Sequence, residues 1–393
     1  MVPSRSADDD ALTFFPGDHL HRNITLAYNN LDTSFTSYPA DTTPADPESY
    51  KTAIDALSPG DAITIFTPDT THYPIALYAI RRRVHVMITK PAVKLLAHHL
   101  ALLAAADEVG GVYVYVEHHK RYDPAYADAR HRARPGGPLG DFNYFYSYMS
   151  QPKSQLDTFR AWAGVDSDIS YYLNSHHVDI CDSMVSPLGY VPVSVSASAS
   201  TGVAAGLGCH PDTEDTISLL VQWEKKKRDK NKDEDEGDAE QPDSSPAGKR
   251  ATAVYTASWT APQRAGVHSN QYFHYLAAGG EVRIDQAKRG YDVADDAAGQ
   301  LVWYNPFYMR YAPDEDGNFN GQGGYGYVSM EKFVDGCRAV NAGALTPADL
   351  DAKGLPTLRN TVATTAILEA GRRSLDERRE VGIEHKDGVW KLV

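Results

Sequence analysis

Hydrophobic positions in the first third of the chain switch repeatedly between helical and strand spacing. Tyr50, Ala53, Ile54 and Leu57 lie on one face of a helix, and the apolar run 62–66 that follows is typical of a short buried strand. The same switching predicts four further elements: helices at 72–83 and 92–108, and strands at 84–88 and 112–116. Apolar strands that alternate with helices indicate a parallel sheet covered on both faces.

The pattern changes after Asp123-Pro124, where hydrophobic residues begin to alternate with a period of two. Six segments of this kind predict the strands of a large, mostly antiparallel sheet: 142–149, 191–198, 216–223, 253–259, 271–277 and 281–285. Helical spacing returns at 329–341 and 358–375. We therefore predict an N-terminal α/β domain at 1–123 and a C-terminal α+β domain at 124–393.

A charged segment at 224–250 interrupts the second domain. From Lys225 to Arg250 it contains eight basic residues, eight acidic residues and no aromatic residue. Such a composition cannot bury enough apolar area to offset the entropy of ordering the chain. We predict a disordered loop between two neighbouring strands.

Polar clusters follow each of the three predicted parallel strands. They are Thr67-Pro68-Asp69, Thr89-Lys90-Pro91 and Glu117-His118-His119-Lys120-Arg121. In open parallel sheets, ligands bind beyond the carboxyl ends of the strands. We therefore expect the three clusters to lie side by side as a binding rim.

A dinucleotide-binding sheet normally carries a GxGxxG turn between its first strand and first helix, and none occurs before residue 60. The one match, Gly321 to Gly326, follows a segment rich in Asp and Asn instead of a strand. We interpret it as a turn, with substrate or cofactor contact as the less favoured alternative. The sheet is thus predicted to lack its first strand and glycine-rich loop, through degeneration or, as we favour, through loss of an N-terminal part.

Composition narrows the classes of function. The 393 residues are 42% hydrophobic and 23% charged, as in ordinary globular proteins of two or three domains. A net charge of −14 argues against a nucleic-acid partner. No run approaches the roughly 20 apolar residues of a membrane span. Three cysteines without a CxxC motif indicate reduced thiols and a cytoplasmic location.

Four motifs together resemble the Gfo/Idh/MocA oxidoreductase family (glucose–fructose oxidoreductase and inositol dehydrogenase relatives). They are Thr67-Pro68 with His72, Thr89-Lys90-Pro91, the EHHKR cluster with Tyr122-Asp123-Pro124, and Tyr172 to Asp179, which carries a D-x-x-x-H-type histidine at His176. The resemblance implies an N-terminal Rossmann domain, a C-terminal α+β domain and NAD or NADP as the cofactor. Two features depart from the family: the glycine fingerprint is absent, and the family's aspartate falls on Tyr172.

Longer stretches are similar to the fungal D-galacturonate reductases of this family: YFYSYMSQPKSQLDTFRAWAG, SDISYYLNSHHVDI, DTEDTISLLVQW and GQGGYGY. This resemblance implies reduction of the aldehyde of a sugar acid, of the D-galacturonate to L-galactonate type, with NADPH (or NADH). The alternative is a non-catalytic or truncated member that acts as a ligand-binding or regulatory protein.

The rim and the resemblance assign roles to single residues. Lys90 is predicted to polarise or protonate the carbonyl oxygen, His176 to be the general acid/base, and Tyr172 to orient one of them or replace the proton relay. The predicted cofactor contacts are Thr67, Pro68, Asp69, His72, Lys90, Pro91, Glu117 and His119. The predicted substrate contacts are the carboxylate partners Lys120, Arg121, Lys153 and Arg160, the aromatic walls Tyr148 and Trp162, and His177.

A metal ion at His176-His177-x-Asp179 is disfavoured. On an extended segment, neighbouring side chains point to opposite faces, and zinc needs three or four converging ligands. We therefore predict no metal. Besides a small-molecule sugar acid, the expected partner is a second copy of the chain, bound through the C-terminal sheet.

Overall fold

The computed structural model describes residues 36–40, 46–226 and 248–393, apart from positions 265, 291, 297, 298, 304, 306, 309 and 387. The predicted break at the start of the parallel sheet and the central part of the predicted charged loop, residues 227–247, lie outside the described residues.

The N-terminal layer contains a three-stranded parallel sheet in the order β1-β2-β3. Its strands and helices are α1 (Ser49–Asp55), β1 (Ala62–Ile65), α2 (Asp69–Arg81), β2 (His85–Thr89), α3 (Leu96–Val109) and β3 (Val114–Glu117). Every residue of β3 is buried, and so is every residue of β2 before Thr89. Continuous apolar strands therefore lie between two packed faces, and the predicted parallel sheet is confirmed.

Segments far apart in the chain cover the two faces of this sheet. On one face, Ile54 and Ile80 of the neighbouring helices pack with the strands. On the other, Phe333 of α8 (Tyr325–Asn341) packs against the rings of Tyr113 and Tyr115, each with centroids 5.9 Å away. The chain beyond residue 123 thus contributes to the N-terminal layer as well.

The second layer is an eight-stranded sheet in the order β15-β14-β5-β6-β7-β4-β8-β9. The strands are β4 (Phe142–Pro152), β5 (Tyr190–Thr201), β6 (Glu214–Lys225), β7 (Arg250–Ala261), β8 (Asn270–Ala277), β9 (Gly280–Asp285), β14 (Val381–Lys386) and β15 (Val389–Leu392). All neighbours are antiparallel except β4 and β7, so the predicted mostly antiparallel sheet is confirmed. The strands β6 and β7 take up the two ends of the predicted loop at 224–250.

Two features of this half were not predicted. The hairpin of β14 and β15 extends the large sheet, with Val381 paired to Val195. Two smaller hairpins follow β9: β10 (Asp292–Asp295) with β11 (Gln300–Trp303), and β12 (Arg310–Pro313) with β13 (Phe319–Gly323).

Helices bury one face of the large sheet and leave the other open. The covering helices are α4 (Pro124–Ala133), α6 (Ser175–Val185) and α10 (Val362–Glu377), and the short helices α5 (Gln155–Phe159), α7 (Val203–Gly206) and α9 (Pro347–Ala352) lie in the connections. Phe145 and Tyr255 point into the covered face, whereas Tyr146 and Leu220 lie on the open one. None of the described helices is long and apolar enough to cross a membrane.

Candidate active site

Lys90 lies directly after β2, beside the ends of β1 and β3. Its ammonium group donates to the main-chain carbonyl of Tyr172 and lies 4.2 Å from the centroid of the Tyr172 ring. Burial lowers the pKa of Lys90 to about 8, although the negative charges of Asp69 and Glu117 act in the opposite direction. The group is therefore mostly cationic at neutral pH and loses its proton in mildly alkaline solution.

The segment that carries His176 is helical, so the extended conformation expected from the sequence is wrong. Residues Ser170–Asn174 form a π-helical turn that continues into α6. The carboxylate of Asp168 accepts hydrogen bonds from the main-chain N–H groups of Ser170 and Tyr171, at 2.8 and 2.9 Å. This cap fixes the start of the turn, and π-helical turns occur frequently at functional sites.

His176 itself is 7% exposed, and its Nδ1 is buried without a hydrogen-bond partner among the described residues. Burial, followed by the positive charges of Lys90 and Lys120, holds the pKa of His176 well below its usual range. The ring is therefore neutral at pH 7. Its Nε2 is the nitrogen left to face a ligand.

Tyr172 contacts Lys90 through its main-chain carbonyl and the face of its ring. Its ring stacks on Trp259 with centroids 5.8 Å apart, and its hydroxyl accepts a hydrogen bond from the Gln151 amide at 3.4 Å. Burial raises the pKa of the Tyr172 hydroxyl, so that group stays protonated. Its roles in orienting a catalytic group and in replacing the proton relay remain predictions.

Glu117 and His119 form a hydrogen-bonded pair at the end of β3. His119 Nδ1 donates to the carboxylate, 2.8 and 3.0 Å from its two oxygens, because an ionised carboxylate only accepts. The side chain of His119 is 12% exposed and that of Glu117 is 7% exposed. The His119 ring meets His176 edge to face at 5.1 Å and stacks on Tyr325 at 5.7 Å. The pair thus connects the rim to His176.

Lys120 lies beside this pair, with its ammonium group held by two glutamines. It donates to Gln271 Oε1 and, at 2.7 Å, to Gln286 Oε1, and the residue is 3% exposed. The Gln286 amide in turn donates to Asp123 and to the Tyr325 hydroxyl, both at 2.9 Å. Burial lowers the pKa of Lys120 to about 7. Because both acceptors are neutral, the charge and one N–H remain for an anionic ligand.

Two predicted substrate contacts, Arg121 and His177, belong to the protein interior instead. The Arg121 guanidinium bonds both carboxylate oxygens of Asp179, at 2.8 and 2.6 Å, and this buried pair ties the rim to α6. His177 is fully buried and shares a hydrogen bond of 2.9 Å with the Tyr126 hydroxyl. Both side chains are occupied by structural contacts, so these two predictions are wrong.

His72 fixes the rim and does not face a cofactor as predicted. It is fully buried, with Nδ1 2.9 Å from the Pro91 carbonyl oxygen and Nε2 2.9 Å from the Thr67 carbonyl oxygen. These contacts link the ends of β1 and β2. The cofactor contacts of Thr67, Pro68, Asp69 and Pro91 remain predictions.

Tyr148 and Arg160 differ in their placement. Tyr148 lies opposite Tyr272 on the open face of the large sheet, because alternate residues of β4 point to opposite sides, so this prediction does not agree with the structure. Arg160 is exposed, pairs with Asp157 at 2.7 Å and directly follows Phe159, which packs on Tyr172. Its substrate contact remains a prediction.

Trp162 does lie behind the lysine. Its ring meets that of Tyr172 at a centroid distance of 5.9 Å, and Phe159 packs between the two at 4.7 and 4.8 Å. Lys153 is half-buried just after β4. The substrate contacts of Lys153 and Trp162 remain predictions.

Sequence reasoning missed Gln271, Gln286 and Tyr325. A glutamine more than a hundred positions from its lysine leaves no pattern in a sequence. The glycine run before Tyr325 could have indicated its position. Gly324 has φ = 102°, and a Cβ there would lie 2.4 Å from the Tyr308 carbonyl oxygen. Only glycine fits that turn, which delivers Tyr325 onto His119.

The described rim fits the reactive end of a nicotinamide cofactor. Among the described residues, Gln151 Oε1 is buried without a hydrogen-bond partner, and buried polar atoms in native proteins are usually satisfied by a ligand or by water. The turns after β1 and β2 contain no glycine, so the described turns do not supply a phosphate-binding glycine loop.

Comparison with known proteins agrees with this site. Residues 33–118 match the Gfo/Idh/MocA model, described as an oxidoreductase family with an NAD-binding Rossmann fold. This segment is therefore similar to the Gfo/Idh/MocA oxidoreductases. A stretch of 120 residues is 33% identical to the uncharacterized oxidoreductase YdgJ of Escherichia coli (strain K12). That match covers 30% of this chain and spans 34% of YdgJ.

Several solved structures share most of the fold of this chain. Myo-inositol 2-dehydrogenase from Lactobacillus plantarum aligns with a TM-score of 0.57 at 17% identity, over 85% of this chain and 84% of that one. GenD2 of gentamicin A biosynthesis, in complex with NAD, aligns with a TM-score of 0.57 at 21% identity, over 87% and 82%. Scyllo-inositol dehydrogenase from Lactobacillus casei with NAD(H) and scyllo-inositol gives 0.55 at 14%, over 85% and 83%. At these identities the likeness concerns the fold.

Proposed function

We propose that this chain is an NAD(P)H-dependent reductase of the aldehyde of a sugar acid, of the D-galacturonate to L-galactonate type. The observation that carries the proposal is the placement of Lys90 and His176 at one rim. The Tyr172 carbonyl that holds the Lys90 ammonium group lies one helical turn before His176. Lys90 is also among the cations that depress the pKa of His176.

The two groups have complementary tasks at the carbonyl oxygen. A nicotinamide cofactor, when bound, supplies the hydride. The cationic Lys90 stabilises the negative charge that develops on the oxygen, and the neutral His176 donates a hydrogen bond from Nε2 to the same atom. Trp162 and Tyr172 shield Lys90 from solvent on the other side.

Lys120 supports an acidic substrate. Its ammonium group donates to two neutral amide oxygens while the nearby charge of Asp123 opposes the effect of burial on its pKa, and its third N–H is left for a substrate carboxylate. The inositol dehydrogenases with the same fold are named for polyhydroxylated rings, a chemistry shared by sugars.

The full chain should oxidise NADPH or NADH when D-galacturonate is added, measured by the loss of nicotinamide absorbance, and Lys90→Met should abolish most of this activity. Absence of turnover with either cofactor, together with unchanged cofactor fluorescence on mixing, would contradict the proposal.

A second candidate is a ligand-binding family member without turnover. It is favoured by the turns after β1 and β2, which contain no glycine. Calorimetry separates the two: this candidate binds a sugar acid in the absence of NAD(P)H and does not bind the dinucleotide.

The open face of the large sheet supports a homo-oligomer. Tyr146 and Tyr272 meet there at 6.2 Å, and Leu220 is 43% exposed. Light scattering that gives the monomer mass would remove this part of the proposal. The cysteines Cys181, Cys209 and Cys337 are all free and buried, which supports a reducing, cytoplasmic location.

A further inference from the structure

Carbonyl reduction consumes one proton per turnover, so whichever rim group protonates the oxygen, Lys90 or His176, must be resupplied with a proton from solvent. The Tyr172 hydroxyl accepts a 3.4 Å hydrogen bond from the Gln151 amide, and burial raises its pKa, so it releases its own proton with difficulty. The His176 ring is kept neutral by burial and by neighbouring cations, so it holds no excess proton to give. A neutral imidazole can still pass a proton through, if another group feeds one nitrogen while the other donates.

We propose that the Glu117–His119 pair is the proton relay of this site and feeds His176 from solvent. The inference rests on the proposed reductase function. It assigns to the end of β3 the task that the family resemblance placed at position 172.

The arrangement of the pair suits this task. Glu117 accepts from His119 Nδ1 through both carboxylate oxygens, which fixes the ring orientation and leaves Nε2 as the exchanging nitrogen. The His119 ring meets the His176 ring edge to face at 5.1 Å. On His176, Nδ1 is the buried atom without a partner, and it is the atom that would accept the proton.

Access to water distinguishes the two histidines. The His119 side chain is 12% exposed and can exchange with solvent, whereas His176 is 7% exposed overall with Nδ1 buried. Because Glu117 fixes the His119 ring, the two rings, with centroids 5.1 Å apart, would exchange a proton after a small rotation of the His176 ring or through one bridging water.

The groups that face His119 come from three parts of the fold. Glu117 approaches from β3, His176 from α6, and the rings of Tyr325 and Tyr308 from the start of α8 and the segment before it. Glu117 is the one anionic side chain in this set, so it is the group that stabilises positive charge on His119.

The proton balance of the step closes. His119 Nε2 releases its proton to His176 Nδ1 while His176 Nε2–H transfers its own to the substrate oxygen, which receives the hydride at carbon from the cofactor. His176 is neutral before and after the transfer but ends protonated on Nδ1 instead of Nε2, and the starting tautomer returns by proton exchange with water once the product has left the site. His119 retains its Nδ1 hydrogen on Glu117 and regains the Nε2 proton from water.

Chemical rescue tests the relay. His119→Gly should lower kcat by about 100-fold or more, the range of positioned proton transfer. Added free imidazole should restore a large part of kcat, because it occupies the vacated space and carries the proton. Glu117→Gln should lower kcat less than His119→Gly does. NADPH binding is measured by fluorescence and kcat is taken at saturating NADPH in both variants, so that a change in cofactor affinity is separated from a change in proton transfer.

His98→Asn is the matched control, because this partly buried histidine of the same layer stacks on Tyr73 at 4.0 Å. Its kcat should be unchanged with and without imidazole. If the wild-type chain turns over but His119→Gly keeps the wild-type pH profile, or is not rescued by imidazole, the relay proposal is wrong. The reductase proposal would stand in that case. Absence of turnover in the wild-type chain would instead refute the reductase proposal on which the relay rests.

Discussion

Replacing Lys120 by methionine tests whether the site is built for a carboxylate. Methionine keeps most of the apolar stem and removes the ammonium group. A hydrogen bond to a charged group contributes about 1.5–3 kcal/mol, which corresponds to an increase of about 10- to 150-fold in KM for D-galacturonate. D-galactose, in which a hydroxymethyl group replaces the carboxylate, should show little change in KM.

The same substitution has a structural cost that can be measured separately. Gln271 and Gln286 each lose a donor, and an unsatisfied buried acceptor costs about 1–3 kcal/mol of folding free energy. The melting temperature should therefore fall while NADPH binding persists. Lys225→Met is the control. Lys225 is a half-buried lysine of the other layer, and its ammonium group lies over a tyrosine ring.

The pH dependence gives this prediction a second readout. Because burial lowers the pKa of Lys120 to about 7, its charge is present below that pH and lost above it. KM for D-galacturonate should rise above pH 7 in the wild-type chain, and this rise should be absent in Lys120→Met. If the KM values for D-galacturonate and D-galactose shift by the same factor, Lys120 does not recognise the carboxylate.

Three further outcomes follow from the geometry. Lys90→Met should lower kcat by about 100- to 10,000-fold, and wild-type kcat should fall above pH 8 as Lys90 loses its proton, both read from pH–rate profiles. Arg121→Met leaves Asp179 buried without its partner, which should cost about 3–5 kcal/mol in urea unfolding. Burial raises the pKa of Asp182 from 3.8 to about 7, so the wild-type chain loses stability as pH rises through that window. Asp182→Asn should remove the loss, seen as a melting-temperature advantage that grows between pH 4 and 7.

Local pattern was enough to predict most of the fold. Continuous apolar runs predicted β1, β2 and β3, and period-two alternation predicted six strands of the large sheet, because each strand shows its burial along its own sequence. The hairpin of β14 and β15 was missed since its place depends on pairing Val381 with Val195, a contact that local sequence does not encode.

The conformation of the His176 segment shows where pattern reasoning stops. Every residue of α6 except Ser183 is buried, so the helix has no polar face to reveal its 3.6-residue period. The sequence therefore looks extended, although the Asp168 cap starts a helical turn. Because the segment is helical and not extended, His176, His177 and Asp179 lie in three different environments within one turn.

Lys120 and Arg121 show why residue type alone could not separate binding groups from structural ones. Both are basic, adjacent and 3% exposed. Arg121 meets the carboxylate of Asp179, which neutralises it and makes it a fixed link between the rim and α6. Lys120 meets two neutral amide oxygens, which use two of its three N–H groups, with the charge of Asp123 nearby. A buried cation that bonds no anion directly among the described residues is costly for folding, and such a group is retained most readily where a ligand supplies that anion.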